Sequence, residues 1–223
     1  MKRLAFVAIF LLLGGVGAAR AAVISFTSSA AFLAALGGSP VTVEGYETLA
    51  ADFAIPNGSI VNGLTYSGFS RDGGRVDAGS YIRFGARSLA MIGATGVNDF
   101  FLPDEGFTVD FGAPVDAVGL FFNVGVSPAG ALSISTAAGS AANGPTYDQS
   151  TFYFVGLIAD TPFTAATILG VSGISTGFNV DDLTFHRVSV PEPITLVLVL
   201  AALASVGVTR LRAGRQARPY RSS

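Results

Sequence analysis

Short runs in which apolar and polar residues alternate fill most of the chain between residues 41 and 188. In residues 107–111, for example, Phe107, Val109 and Phe111 occupy every second position, with polar residues between them. A period of two is typical of a strand that buries one face. Comparable runs, rich in Val, Ile, Phe, Tyr and Thr, lie at 41–49, 59–69, 81–84, 88–92, 107–111, 115–124, 131–136, 151–157, 163–171 and 178–188.

Turn-forming residues separate these runs and support the prediction of an all-β chain. Asn-Gly and Asp-Gly pairs, which tolerate positive φ, occur at residues 57–58, 62–63, 72–73 and 143–144. One short helix is predicted over residues 30–36, after the capping residues Ser28 and Ser29 and before Gly37. About ten short strands in one domain predict an antiparallel β-sandwich of the jelly-roll type, with an up-and-down barrel as the alternative.

Both ends of the chain differ from this pattern. The N-terminus has a basic start at Lys2 and Arg3, an apolar stretch over residues 4–16 and a small-x-small sequence at residues 19–21. These features predict a helical signal peptide over residues 1–21, cleaved after Ala21 or Ala22.

The C-terminus combines three elements in a fixed order. Pro191, Glu192 and Pro193 come first, an apolar run follows over residues 194–208, and the tail carries arginines at positions 210, 212, 215, 218 and 221. As a helix the apolar run would be about 22 Å long, which is shorter than a permanent span of about 20 residues. The arginines would hold the tail on the cytoplasmic side of a membrane.

This order resembles the PEP-CTERM sorting signal of Gram-negative bacteria. The resemblance implies that an exosortase-type membrane enzyme recognises Pro191, Glu192 and Pro193 and removes the tail. It divides the chain into a signal peptide (1–21), a β-sandwich domain (22–188) and a sorting signal (189–223), with a transmembrane helix over 194–209 and an Arg-rich tail over 210–223. It also implies export, transient anchoring in the inner membrane and delivery to the cell surface. An ordinary single-span anchor is the alternative.

The charge balance changes once these ends are set apart. Residues 22–190 contain 5 basic and 14 acidic residues, a net charge of −9. Such a surface excludes nucleic acid as a partner, because phosphates require Lys and Arg, and it suits divalent cations. There is no cysteine, so the domain depends on its core or on a metal ion for stability.

The order of segments 107–112, 115–123, 152–156 and 179–185 resembles carbohydrate-binding jelly rolls. In those proteins an acid on the last strand joins a Glu from the first strand around a structural calcium ion. The resemblance implies a calcium site from Glu44, Glu47, Asp181 and Asp182. The alternation changes phase at Asp181 and Asp182, which independently predicts a β-bulge or a local twist there. The alternative for all four acids is an exposed strand or turn position.

Candidate chemistry beyond this is sparse. Glycosidase carboxylates would require Glu44 or Glu47 to face Asp104 or Glu105 across a cleft. A serine hydrolase would need a Gly-x-Ser-x-Gly turn, which the sequence lacks, and the single His186 as its base. We therefore predict no enzymatic activity.

The aromatic residues bear on carbohydrate binding. There is no Trp, so Tyr66, Tyr81 and Tyr147 are the candidates for stacking on a sugar. The sequence thus predicts a secreted, exosortase-sorted surface or matrix protein with a structural or adhesive role in exopolysaccharide or biofilm. The alternatives are a carbohydrate-binding module and a glycan-acting hydrolase.

Overall fold

A computed structural model describes residues 22–71, 73–77, 85–91, 100–171 and 177–188 of the chain. Strands dominate these residues and one helix accompanies them, so the prediction of an all-β chain with a short N-terminal helix is confirmed. The elements are β1 (Val23–Phe26), α1 (Ser29–Ala35), β2 (Thr42–Glu44), β3 (Ala54–Ile55), β4 (Ser59–Val61), β5 (Leu64–Ser67), β6 (Gly74–Asp77), β7 (Ser88–Met91), β8 (Gly106–Val124), β9 (Leu132–Thr136), β10 (Gly139–Ala142), β11 (Phe152–Gly170) and β12 (Phe178–Arg187).

The strands form one continuous antiparallel sheet, and β8 and β11 are its two longest strands. The hydrogen-bonded order is β10-β9-β11-β8-β12-β7-β6-β3, with β1 added to β11, β2 to β12, and β4 to β5, which pairs with β8. Both long strands have 19 residues. Their shared register shifts on either side of Phe163 in β11.

These shifts divide the sheet into two halves. The first half contains β10, β9, the end of β11, the start of β8, β5 and β4. The second half contains β1, the start of β11, the end of β8, β12 and the strands beside β12. Val109 and Phe111 from the first half and Leu120 and Phe122 from the second belong to one buried cluster. The two halves therefore line a single core.

Helix α1 follows the local signals in the sequence. The Oγ of Ser28 accepts a hydrogen bond from the backbone N of Ala31, as expected of an N-cap. Gly37 and Gly38 adopt positive φ and end the helix. Its Phe32 is fully buried in a second, smaller apolar cluster with Ala117, Phe121 and Phe154. The helix thus covers part of the sheet face that points away from the main core.

Some strands differ from their predicted bounds. The run 59–69 is a hairpin of β4 and β5, whose turn at Asn62 and Gly63 has positive φ at both residues, as the Asn-Gly pair predicts. The run 41–49 is a strand only at Thr42–Glu44. The glycine-rich stretches 70–80 and 137–145, where the alternation predicts no strand, contain β6 and β10.

The predicted signal peptide and the C-terminal sorting signal lie outside the described residues. Within the described residues, no helix has the length and apolar character needed to cross a membrane.

Candidate functional site

Glu44 and Glu47 are held by backbone and amide donors in two different places. The Glu44 carboxylate accepts hydrogen bonds from the backbone N of Tyr46 and from Asn62 Nδ2, each at 2.7 Å. The Glu47 carboxylate accepts from the backbone N of Ala86 and of Arg87 at 2.9 Å. Each carboxylate therefore stabilises a turn.

Asp181 and Asp182 form the predicted β-bulge at the centre of β12. The register with β8 shifts between Asp181 and Thr184, and Asp182 has a φ of 49°. Asp181 is 1% exposed and its Oδ1 accepts a hydrogen bond from the backbone N of Asp182 at 2.8 Å. The bulge is confirmed. Asp182 adopts a left-handed backbone conformation, which Asp tolerates better than most other residues.

The pairing of β2 with β12 decides how these acids lie relative to one another. Glu44 stands opposite Leu183, which belongs to the main core. Paired residues share a face and neighbours along a strand alternate, so Glu44 points to the core side. Asp181 follows the core residue Val180 at the bulge, where alternation does not hold, and its charge, like that of Glu44, acts on the buried Tyr46.

Glu47 and Asp182 flank the same glycine, since a Cβ atom at Gly45 would lie 3.8 Å from Glu47 Cγ and 3.4 Å from Asp182 Oδ1. Among the described residues, no group of three or more Asp, Glu, His or Cys side chains is placed to hold a metal ion. Calcium at Glu44, Glu47, Asp181 and Asp182 stays a prediction.

The structure describes two of the three tyrosines predicted to stack on a ligand. Tyr66 is 0% exposed and packs against Tyr46 and Phe107, with ring centroids 6.4 and 6.0 Å away. This corrects the prediction for Tyr66, whose ring has no face open to a sugar. Tyr147 is half-buried against Tyr153, at a centroid distance of 4.3 Å. Tyr81 lies outside the described residues.

Tyr46 and Tyr66 form a buried phenolic pair that the sequence did not indicate. Apart from each other, the two hydroxyls have no hydrogen-bond partner within the described part of the chain. Burial raises the pKa of both phenols well above the ordinary value. Both therefore stay neutral at physiological pH.

Glu105 and His186, both considered for catalysis, have partners of their own. Glu105 accepts two hydrogen bonds from the guanidinium of Arg71, at 2.8 and 2.7 Å, and one from the backbone N of Leu102. His186 Nδ1 lies 2.7 Å from Asp116 Oδ1, and both side chains are partly buried. These contacts join neighbouring segments of the fold.

One feature that strand prediction missed is a row of hydroxyl side chains across the first half of the sheet. Ser140 pairs with Ser135, Ser135 with Thr167, Thr167 with Thr108, and Thr108 with Ser67. All five residues occupy the polar positions of their strands and are exposed or half-exposed. We call them the hydroxyl row.

The geometry of the hydroxyl row is regular. Neighbouring strands lie about 4.8 Å apart, so the row extends over roughly 19 Å. The hydroxyl groups of Thr108 and Thr167 are 2.9 Å apart. A shallow cavity of about 310 Å³ adjoins the row between β9 and β11 and is lined by Ser135, Thr136, Ala137, Thr164, Ala165 and Thr167. The row is a continuous line of hydroxyl donors and acceptors across five paired strands.

No family model, curated protein or solved structure matches this chain. Function must therefore be argued from the geometry and the sequence signals. Alternation indicated that Ser135 and Thr108 are outward-facing, but only the strand pairing places them side by side.

Proposed function

We propose that the chain is a secreted, exosortase-sorted surface or matrix protein with a structural or adhesive role in exopolysaccharide, and that it has no enzymatic activity. Its domain, on this proposal, is a jelly-roll-like sandwich made from the two halves of the sheet. The hydroxyl row is the observation that carries the role in exopolysaccharide. A polysaccharide presents hydroxyl groups at regular intervals, and each hydroxyl of a row of Ser and Thr side chains can donate and accept a hydrogen bond.

The row favours adhesion over the stacking typical of a carbohydrate-binding module. Its members are small, and Tyr66 has no exposed ring face. Single hydroxyl contacts in water are weak, at about 1 kcal/mol each. Several contacts in register along one chain of sugars add through effective concentration. Many weak contacts of this kind suit a protein that sits in a matrix.

The double substitution Thr108→Val/Thr167→Val is expected to weaken binding to the producing cell's exopolysaccharide by about tenfold to a hundredfold. Valine keeps the shape and strand preference of threonine but removes two hydroxyl contacts. The measurement is co-sedimentation of the protein released by its own cells, with calcium and with a chelator. Loss of binding in chelator alone would support the calcium site.

The matched control is Thr42→Val, which removes an exposed hydroxyl from β2 in the other half of the sheet. It is expected to bind as the unsubstituted protein does. Undiminished binding of the double variant, or equal losses in both variants, would refute the role of the row.

The sorting proposal has a separate test. The intact mass of the cell-surface form is expected to end near Pro191, without the apolar run and the arginines. Glu192→Ala is expected to leave most of the protein at full length in the inner membrane, because the sorting enzyme no longer recognises its motif. A full-length C-terminus on the surface protein would contradict exosortase processing.

A further inference from the structure

A pocket lies on the outer face of the second half of the sheet, between α1 and β2. Its walls come from α1, from Val41 and Val43, and from the central strands β8, β11 and β12. Its volume is about 270 Å³, slightly below the usual range of ligand pockets, about 300–1,000 Å³. We call it the helix pocket.

Aromatic side chains form the apolar part of the helix pocket. Phe32, Phe121 and Phe154 line it. The rings of Phe121 and Phe154 meet edge to face at a centroid distance of 5.0 Å, and those of Phe32 and Phe154 lie 5.4 Å apart. Contacts of this kind fix the rings in place. The pocket therefore keeps a rigid apolar surface.

Its opening is apolar as well. Leu33 is 46% exposed and Val43 is 53% exposed, and both line the helix pocket. Exposed apolar side chains gathered around a concave aromatic surface favour a ligand with an apolar body.

The charged group of the pocket is a carboxylate. Asp182 and Thr184 line it from β12, and Ser29 lines it from α1. The hydroxyl of Ser29 donates to Asp148 Oδ2 at 2.7 Å, so a second carboxylate lies next to a residue that lines the pocket. Among the described residues that line the pocket there is no Lys, Arg or His.

We propose that the helix pocket binds a small organic cation, with an aromatic or alkyl body against the phenylalanines and an ammonium group at Asp182. A carboxylate has about four acceptor positions, so this contact adds to those that Asp182 already makes. Removal from water strengthens the contact between the two charges. The domain's net charge of −9 attracts such a ligand and repels anions. The pocket is independent of the hydroxyl row.

The test compares three probes of one shape: 2-phenylethylammonium, 2-phenylethanol and 3-phenylpropanoate. Binding to the protein released by its cells is followed through the methyl resonances of Leu33 and Val43 in NMR spectra. The ammonium probe is expected to bind with a dissociation constant of about 1 mM, as suits a ligand of this size. The alcohol should bind about tenfold more weakly and the carboxylate not measurably.

Two variants and a control distinguish binding in the pocket from recognition of the positive charge. Asp182→Asn keeps a residue that tolerates positive φ and is expected to remove the preference for the ammonium probe over the alcohol. Val43→Lys should block both probes, whereas Val126→Lys, at an 80% exposed residue that does not line the pocket, should leave binding unchanged.

Three outcomes would overturn the proposal. They are no shift of the methyl resonances with any probe, equal affinity for the alcohol and the ammonium probe, and an unchanged preference in Asp182→Asn.

Discussion

Replacing Phe107 with alanine is expected to lower the free energy of unfolding by about 3–5 kcal/mol, which is the usual cost of a large cavity in an aromatic core. Phe107 is 1% exposed and packs against Tyr66, Phe69 and Phe101 at centroid distances of 6.0, 5.5 and 5.4 Å. Urea unfolding followed by circular dichroism measures the loss.

The matched control is Phe53→Ala, because Phe53 is 42% exposed. Its loss is expected to stay near 1 kcal/mol or below, since much of its ring already faces water. Similar losses at the two positions would contradict the central place of Phe107 in the core.

Gly106→Ala is expected to destabilise the chain by about 3 kcal/mol or more, because two backbones meet at this residue. Gly106 pairs with Leu169 of β11. A Cβ atom at Gly106 would overlap the carbonyl oxygen of Ile168 and lie 3.0 Å from the Cα of Leu169. The strands would have to separate where β8 and β11 pair in the first half. Thermal and urea unfolding measure the effect.

Gly130→Ala is the comparison for this substitution. Gly130 has a φ of +81°, and a Cβ there would meet no atom within 4 Å. Only the cost of a left-handed alanine remains, about 1–2 kcal/mol. A loss at Gly106 no greater than that at Gly130 would show that the strands yield easily at their closest approach.

Local patterns predicted several elements of the fold correctly. Alternation located most strands, the Ser28 cap located α1, and the change of phase at Asp181 located the bulge. Each of these depends on residues close together in the sequence, where backbone preference and side-chain period act directly.

The elements that the sequence patterns did not predict depend on pairing with other strands. In β10, residues 139–142 are Gly, Ser, Ala and Ala, which have little preference for a strand. These residues form a strand because they pair with β9. Conversely, β8 and β11 were each predicted as two strands. The alternation is interrupted near residue 112, and the sequence alone does not distinguish a strand that ends there from one that bends and continues.

In the candidate site, too, local patterns predicted the kind of residue, whereas its neighbours depend on strand pairing. The sequence indicated that Glu44 and Asp181 are acids on the first and last strands, but the face of each depends on the β2–β12 register. Tyr66 was predicted to be exposed and free to stack on a sugar, because the sequence of residues 59–67 does not show how deeply the β4–β5 hairpin is buried. The hydroxyl row required the pairing of five strands, β10, β9, β11, β8 and β5, and no single segment carries that information.

The two long strands also determine how the protein responds to tension. Because β8 and β11 belong to both halves of the sheet, force applied to one half passes into the other along two covalent backbones. Neither half can be pulled away as a separate body without breaking the ladder that both share. A protein lodged in a matrix under shear would resist as one mechanical unit, without a disulfide to join its parts.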